Sequence, residues 1–379
     1  MMGSLSRRRL LGYTAAGLAS GGALGGGPLT TFAKEAAAMR QRPAKPIVMG
    51  HRGCSALRPE HTLASYAKAI ADGADFIEPD LVPTKDGVLI ARHENNIAET
   101  TDVASRSEFA GRRTTKVVDG ETITGWFTED FTLAEIKTLR ARERLQGMRQ
   151  ESHSYDGQFQ IVTLEEIADF TAAEAAARGR KIGLIPEIKH STYFAGIGLP
   201  MEQRFLDRLH ASHYLSTAPM IVQSFEIANL KALRPKLPGN VQTMQLIGDP
   251  SQSPADFVTA GDKRLWRDLF TPAALADMAT YADWFSPATR LYRPLDTGGR
   301  LMPSTGLAEA ARKAGMLVGC WTFRPENHFL AADFRNDTGD GARYVAGSLR
   351  EIAAYVALGL DGFFTDDPAL GRKVVDMMA

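Results

Sequence analysis

From Ile47 onward, short apolar runs alternate with stretches whose apolar residues recur at helical spacing. Ile47-Val48-Met49-Gly50 is an unbroken apolar run, as expected of a strand buried on both faces. Leu63, Tyr66, Ala67 and Ile70 then share one side of a helix that Gly73 ends, and Asp75-Phe76-Ile77-Glu78 opens the next strand. Continued along the chain, the alternation predicts strands over residues 47–50, 76–80, 182–188, 220–224, 241–247, 283–286, 317–322 and 362–365. Strands alternating with helices imply βαβ units and a parallel sheet. Eight such units fit a closed α/β fold, the (β/α)8 TIM barrel. An open doubly wound sheet is the competitor, but no G-x-G-x-x-G turn or Walker-type loop follows the first strand. Thr163 with Glu166, and Ser348 with Glu351, match the capping box that opens a helix.

One stretch breaks this rhythm. The second strand runs on through Leu81-Val82-Pro83-Thr84, meets Lys85-Asp86-Gly87 and returns through Val88 to His93. The connection is too short for a crossover helix, so the return is antiparallel, and Asp-Gly is a strong hairpin-turn signal. Folding back about that turn sets His93 opposite Pro79 and Asp80. Residues 94–159 are polar and lack a βα pattern, with one short helix expected from Thr132 to Glu135. They read as an inserted cap on the face where barrel enzymes carry specificity.

Composition narrows the functional classes. Lys+Arg and Asp+Glu both total 44, so the net charge is +0, with no basic excess for nucleic acid and no polybasic run for an anionic membrane. Two cysteines, Cys54 and Cys320, exclude a disulfide framework and a cysteine-only zinc site. They are expected to stay free thiols, because the eighth strand should lie between them. Residues 1–38, with Arg7-Arg8-Arg9 ahead of a weakly apolar Gly/Ala-rich stretch, resemble a twin-arginine export signal, too weak for a permanent membrane span. Residues 39–46 read as a linker, and residues 47–379 as the folded domain. Nothing in the sequence sets an oligomeric state.

The candidate chemistry sits at predicted strand ends. Glu78-Pro79-Asp80 places two carboxylates at i and i+2, on one side of a strand, and Glu187-Ile188-Lys189 does the same with a carboxylate and an ammonium. Barrel active sites are built at these C-terminal ends. Glu78, Asp80 and Glu187 would repel one another unless they shared a cation, and all-oxygen ligation suits Ca2+ or Mg2+. His51 and Arg52 follow the first strand directly. His51 and His93 across a phosphate could serve as general base and general acid, while Arg52 offers a planar fork to phosphate oxygens. Phe225, Trp321 and Phe323 lie at strand ends, where they either line a pocket or fill the core. His61, His153, His190, His210, His213 and His328 have no comparable placement and read as structural hydrogen-bonders. Cys54, although near His51, is not needed as a nucleophile.

His51-Arg52-Gly53, Pro59-Glu60-His61-Thr62, Gly73 through Asp80, Thr84-Lys85-Asp86-Gly87, His93, Pro186-Glu187-Ile188-Lys189 and Asp361 through Pro368 together resemble the successive motifs of the glycerophosphodiester phosphodiesterase family. The insertion, Gln223-Ser224-Phe225 and Trp321-Thr322-Phe323-Arg324 are most similar to its periplasmic bacterial subgroup. The resemblance implies hydrolysis of glycerophosphodiesters to glycerol 3-phosphate and an alcohol, by water or through a cyclic phosphate. It implies one divalent ion on Glu78, Asp80 and Glu187, with Ca2+ preferred to Mg2+, and His51 and His93 as the catalytic pair. Arg52 and Lys189 would hold phosphate, Glu60 would support the site, and Phe225, Trp321 and Phe323 would line the alcohol side. The chain departs from the family pattern at Glu94, where Asp is common, and at Arg324, where shorter relatives have Asn. Two other readings share the barrel: a phospholipase C- or D-like lipid phosphodiesterase, and a non-catalytic binder of polyol phosphates such as teichoic acid.

Overall fold

The computed structural model describes residues 41–145 and 147–378. The export segment expected over residues 1–38 lies outside them. Of the expected linker, Arg42 pairs with Asp361 at 2.7 Å. The strands are β1 (Ile47–Gly50), β2 (Phe76–Ile77), β3 (Asp80–Pro83), β4 (Leu89–Ala91), β5 (Thr114–Val118), β6 (Glu121–Gly125), β7 (Gly183–Leu184), β8 (Glu187–Ile188), β9 (Met220–Ser224), β10 (Val241–Ile247), β11 (Trp284–Pro287), β12 (Leu317–Val318) and β13 (Gly362–Thr365). The main sheet runs β12-β11-β10-β9-β7-β2-β1-β13, all parallel. It closes where Asp361 and Phe364 donate amide hydrogens to the carbonyls of Val318 and Cys320, at 2.8 and 2.9 Å. Every strand of this main sheet thus has neighbours on both sides, and the sheet is a barrel.

Met49, Phe76, Ile185, Ile221, Met244, Leu246, Trp284, Leu317 and Phe364 form one buried cluster drawn from strands all around the barrel, its interior layer. Val48 and Phe363 turn the other way, into a second cluster with helix residues such as Ile352 and Val374. The helix Leu63–Ala71 starts on the Thr62 cap and buries Ser65, Tyr66, Ala69 and Ile70, so Ala67 lies at the edge of the buried face.

Two expectations need correction. The strand expected over 317–322 ends at Val318, and those expected over 76–80 and 182–188 are each interrupted, by Glu78-Pro79 and by Ile185-Pro186. Proline has no amide hydrogen to give the ladder, so pairing lapses there and resumes at β3 and β8. The capping box expected at Ser348 is absent: the helix spans Val345–Val356, Ser348 is buried within it, and Glu351 pairs instead with Arg290. The box at Thr163 and Glu166 is present.

β3 and β4 form the expected antiparallel hairpin, with Leu81 facing Ala91 and Pro83 facing Leu89. The insertion carries the expected short helix, Leu133–Ile136, on a Thr132–Glu135 capping box. It also carries an unexpected antiparallel pair, β5 with β6, turning at Asp119-Gly120. Its Phe131, Ile136 and Leu139 pack in the same cluster as Tyr66 and Ile77 of the barrel. Cys54 and Cys320 are buried free thiols, with β13 between their strands. Among the described residues no helix is long and apolar enough to cross a membrane.

The loop after β1 leaves no room for a side chain at Gly53. Gly53 has φ +90°, and a Cβ there would lie 2.4 Å from Ser65 Oγ and 2.6 Å from the Ser65 carbonyl carbon. Gly53→Ala is expected to destabilise the fold by about 2 kcal/mol or more, from left-handed strain plus the clash. Urea unfolding measures it, and an unchanged midpoint would show that the loop relaxes freely.

Candidate active site

The interrupted strands build the site. Asp80 on β3 sits in register with Glu187 on β8, which sits in register with Gln223 on β9. Glu78 lies in the gap before β3, its amide bonded to the Gly50 carbonyl at 3.2 Å. Three buried carboxylates therefore converge at the mouth, with one oxygen from each of Glu78, Asp80 and Glu187 lying within 4.8 Å of the others. Burial and the charge of Asp80 push the Glu78 carboxyl well above the usual carboxylate range. Burial pushes Glu187 up to about 8, against the lowering pull of Lys189 and with further raising from Asp80.

The surroundings hold these acids in place. Glu78 accepts the Arg52 amide at 2.7 Å and the Gln223 side-chain amide at 3.1 Å. Asp80 accepts from His61 Nε2 at 2.9 Å and has Arg52 Nε at 3.4 Å. Its other oxygen, Oδ1, is buried with no hydrogen-bond partner. An orphaned carboxylate oxygen facing two more carboxylates fits a hard divalent cation, which would fill the missing contact and remove the repulsion. His61, expected to be a structural hydrogen-bonder, is one, and its partner Asp80 is one of the three converging acids. Tyr66 hydroxyl lies 2.9 Å from His61 Nδ1, so a neutral ring can give Nε2–H to Asp80 and accept from the hydroxyl. Burial lowers its proton affinity, in keeping with that state.

His51 leaves β1 with its amide on the Thr365 carbonyl at 3.0 Å. Its Nδ1 lies 2.5 Å from Asp366 Oδ1. His93 comes up by the hairpin, with Nδ1 2.8 Å from Glu94 Oε1. Each carboxylate accepts a hydrogen bond from Nδ1–H, which leaves Nε2 as the open acceptor. Burial, then Arg52, lowers His51 to about 4. Burial, then Arg52 and Lys189, lowers His93 to about 3. Both rings are neutral at neutral pH.

Arg52 has a left-handed backbone, φ 58°, fixed by the Glu78 bond and by its carbonyl, which accepts from His61 N–H at 3.1 Å and Ser65 Oγ at 3.0 Å. Glu60 takes Arg52 Nη1 at 2.9 Å and Arg144 Nε at 2.9 Å, so it braces both cations. Lys189 Nζ lies 3.1 Å from Glu187 and 5.8 Å from the centre of the Phe225 ring.

One cavity of about 430 Å³ gathers His51, Arg52, Glu78, His93, Glu187 and Lys189, with Phe225 and Trp321 on its apolar wall. These two rings meet edge to face, 5.5 Å apart. Phe323 does not line this cavity. Its ring stacks edge-on with Tyr355 and Phe363, in the packing between barrel and helices. Sequence reasoning passed over Asp366, and Gln223 as a Glu78 partner; Arg324, noted there as a departure from the family pattern, lines the cavity with Nε 3.2 Å from Asp366. Asp366 ends the last strand, and the strand-end rule that found Glu78 would have found it.

Residues 51–370 match the glycerophosphoryl diester phosphodiesterase family. The chain is 32% identical to a glycerophosphodiester phosphodiesterase of Arabidopsis thaliana, over 89% of this chain and 88% of that one. It is 29% identical to one of Haemophilus influenzae, over 65% and 70% of the two chains. In fold it is similar to an Oleispira antarctica phosphodiesterase solved with the product sn-glycerol-3-phosphate, with a TM-score of 0.53 and 19% identity over 88% of this chain and 97% of that one. With a family match over nearly all of the barrel and the family's motifs gathered at one mouth, the chain belongs to the glycerophosphoryl diester phosphodiesterase family.

Proposed function

We propose that the protein hydrolyses glycerophosphodiesters to glycerol 3-phosphate and an alcohol, with His51 and His93 moving the protons beside a divalent cation on Glu78, Asp80 and Glu187. The observation that carries this is the pair of carboxylate-held histidines on one cavity with three converging acids and two cations. The product named in the Oleispira complex is the half-molecule this reaction would release.

A divalent cation so held supplies Lewis-acid neutralisation of phosphate charge, and three protein carboxylates suit Ca2+ better than Mg2+, which usually takes one or two. Arg52 and Lys189 bind the remaining phosphate oxygens. A neutral imidazole takes the proton from the attacking hydroxyl through Nε2. The second histidine returns a proton to the leaving alkoxide. It becomes protonatable when the phosphate is bound, because the anion offsets the cationic fields, of Arg52 on both rings and of Lys189 on His93, that add to burial in keeping them neutral. Trp321 and Phe225 shelter the alcohol side from water. The arginine-led residues 1–38 support export of the folded protein.

Released glycerol 3-phosphate from glycerophosphocholine is the direct assay. Activity is expected with Ca2+ and lost in excess EDTA; full turnover with no metal retained would overturn the metal role. His51→Ala and His93→Ala are each expected to lose ~10²–10⁴-fold in kcat while staying folded. Near-native kcat in either variant removes that ring from the mechanism. His61→Leu, which strips the donor from Asp80, is expected to weaken Ca2+ binding about 10–100-fold by calorimetric titration. Unchanged affinity would confine His61 to packing.

A further inference from the structure

Arg149 belongs to the inserted segment, yet its side chain is only 3% exposed and ends beneath His51. Each nitrogen of its guanidinium has its own partner. Nε donates to Glu326 at 2.8 Å, Nη1 to the Ser55 carbonyl at 3.0 Å, and Nη2 to Asp366 Oδ2. Asp366 Oδ1 is the oxygen that holds His51 Nδ1. The residue itself has φ 53°, a left-handed conformation that a side chain adopts only where its surroundings over-determine it. Arg149 does not line the cavity, so it touches no substrate. Arg324 also reaches Asp366 but lines the cavity.

We propose that Arg149 is a positioning residue for His51, acting through Asp366, so that the insertion sets the orientation of a catalytic ring as well as covering the mouth. A carboxylate with one oxygen clamped cannot turn about its bond. Its other oxygen then fixes both the direction and the tautomer of the imidazole. The guanidinium also keeps Asp366 ionised in a buried place. The fork geometry matters, because one planar group binds three different elements: the loop after β1, the loop after β12 and the end of β13.

The proposal rests on His51 as a proton-transfer group. If that is wrong, His51→Ala alone reveals it by keeping its activity. The test here is a double-variant cycle on glycerophosphocholine with Ca2+. Arg149→Met is expected to lower kcat about 10–100-fold with KM unchanged, and Arg149→Lys to recover part of the loss. In an Asp366→Asn background, Arg149→Met should cost nothing further, because the route to His51 is already cut. Undiminished kcat in folded Arg149→Met, a loss confined to KM, or losses that multiply in the double variant would each overturn the proposal. If Arg149→Met does not fold, as a circular dichroism melt would reveal, the same cycle run with Arg149→Lys decides between these outcomes.

Discussion

The repulsion among Glu78, Asp80 and Glu187 governs the architecture of the mouth. Three carboxylates whose oxygens come within 4.8 Å of one another cannot all be charged inside a protein without compensation. The residues around them are what such a cluster requires: donors from the Arg52 amide, Gln223 and His61, and cations from Arg52 and Lys189. The donors leave Asp80 Oδ1 open, toward the space the three acids share. Burial and Arg52 in turn lower both histidines, with Lys189 adding its charge at His93, so the positive field that would hold a phosphate helps keep the rings in the form that accepts a proton.

The parts legible in the sequence were those fixed by local period or by position at a strand end. The eight strands followed from apolar runs, and His93 followed from the Asp-Gly turn. Glu78, Asp80 and Glu187 followed from i, i+2 spacing beside proline. The same prolines were misjudged as passengers in continuous strands, although loss of an amide donor was readable at Pro79 and Pro186. The β5–β6 pair had its own signal, Asp119-Gly120 between alternating residues, hidden by the polarity of its surroundings.

What was illegible is what depends on distant partners. Ser348 and Glu351 satisfied a capping pattern, but Glu351 is claimed by Arg290, and the helix starts before Ser348. Phe323 looked equivalent to Phe225 and Trp321, yet the direction of its ring was set by Tyr355 and Phe363. Arg149 carried no pattern at all. Its meaning comes from Glu326, Ser55 and Asp366, which only the closed barrel brings together.

The last strand has a consequence in time. β13 joins the first strand to β12, and Asp366 follows it immediately, 315 residues beyond the histidine it holds. The contact is about as non-local as this chain permits, so it forms only when the ring of strands is complete. A chain cut short before β13 would carry the three converging acids and both histidines and still lack the carboxylate that holds His51. Closure of the barrel and the placing of Asp366 against His51 are therefore one event.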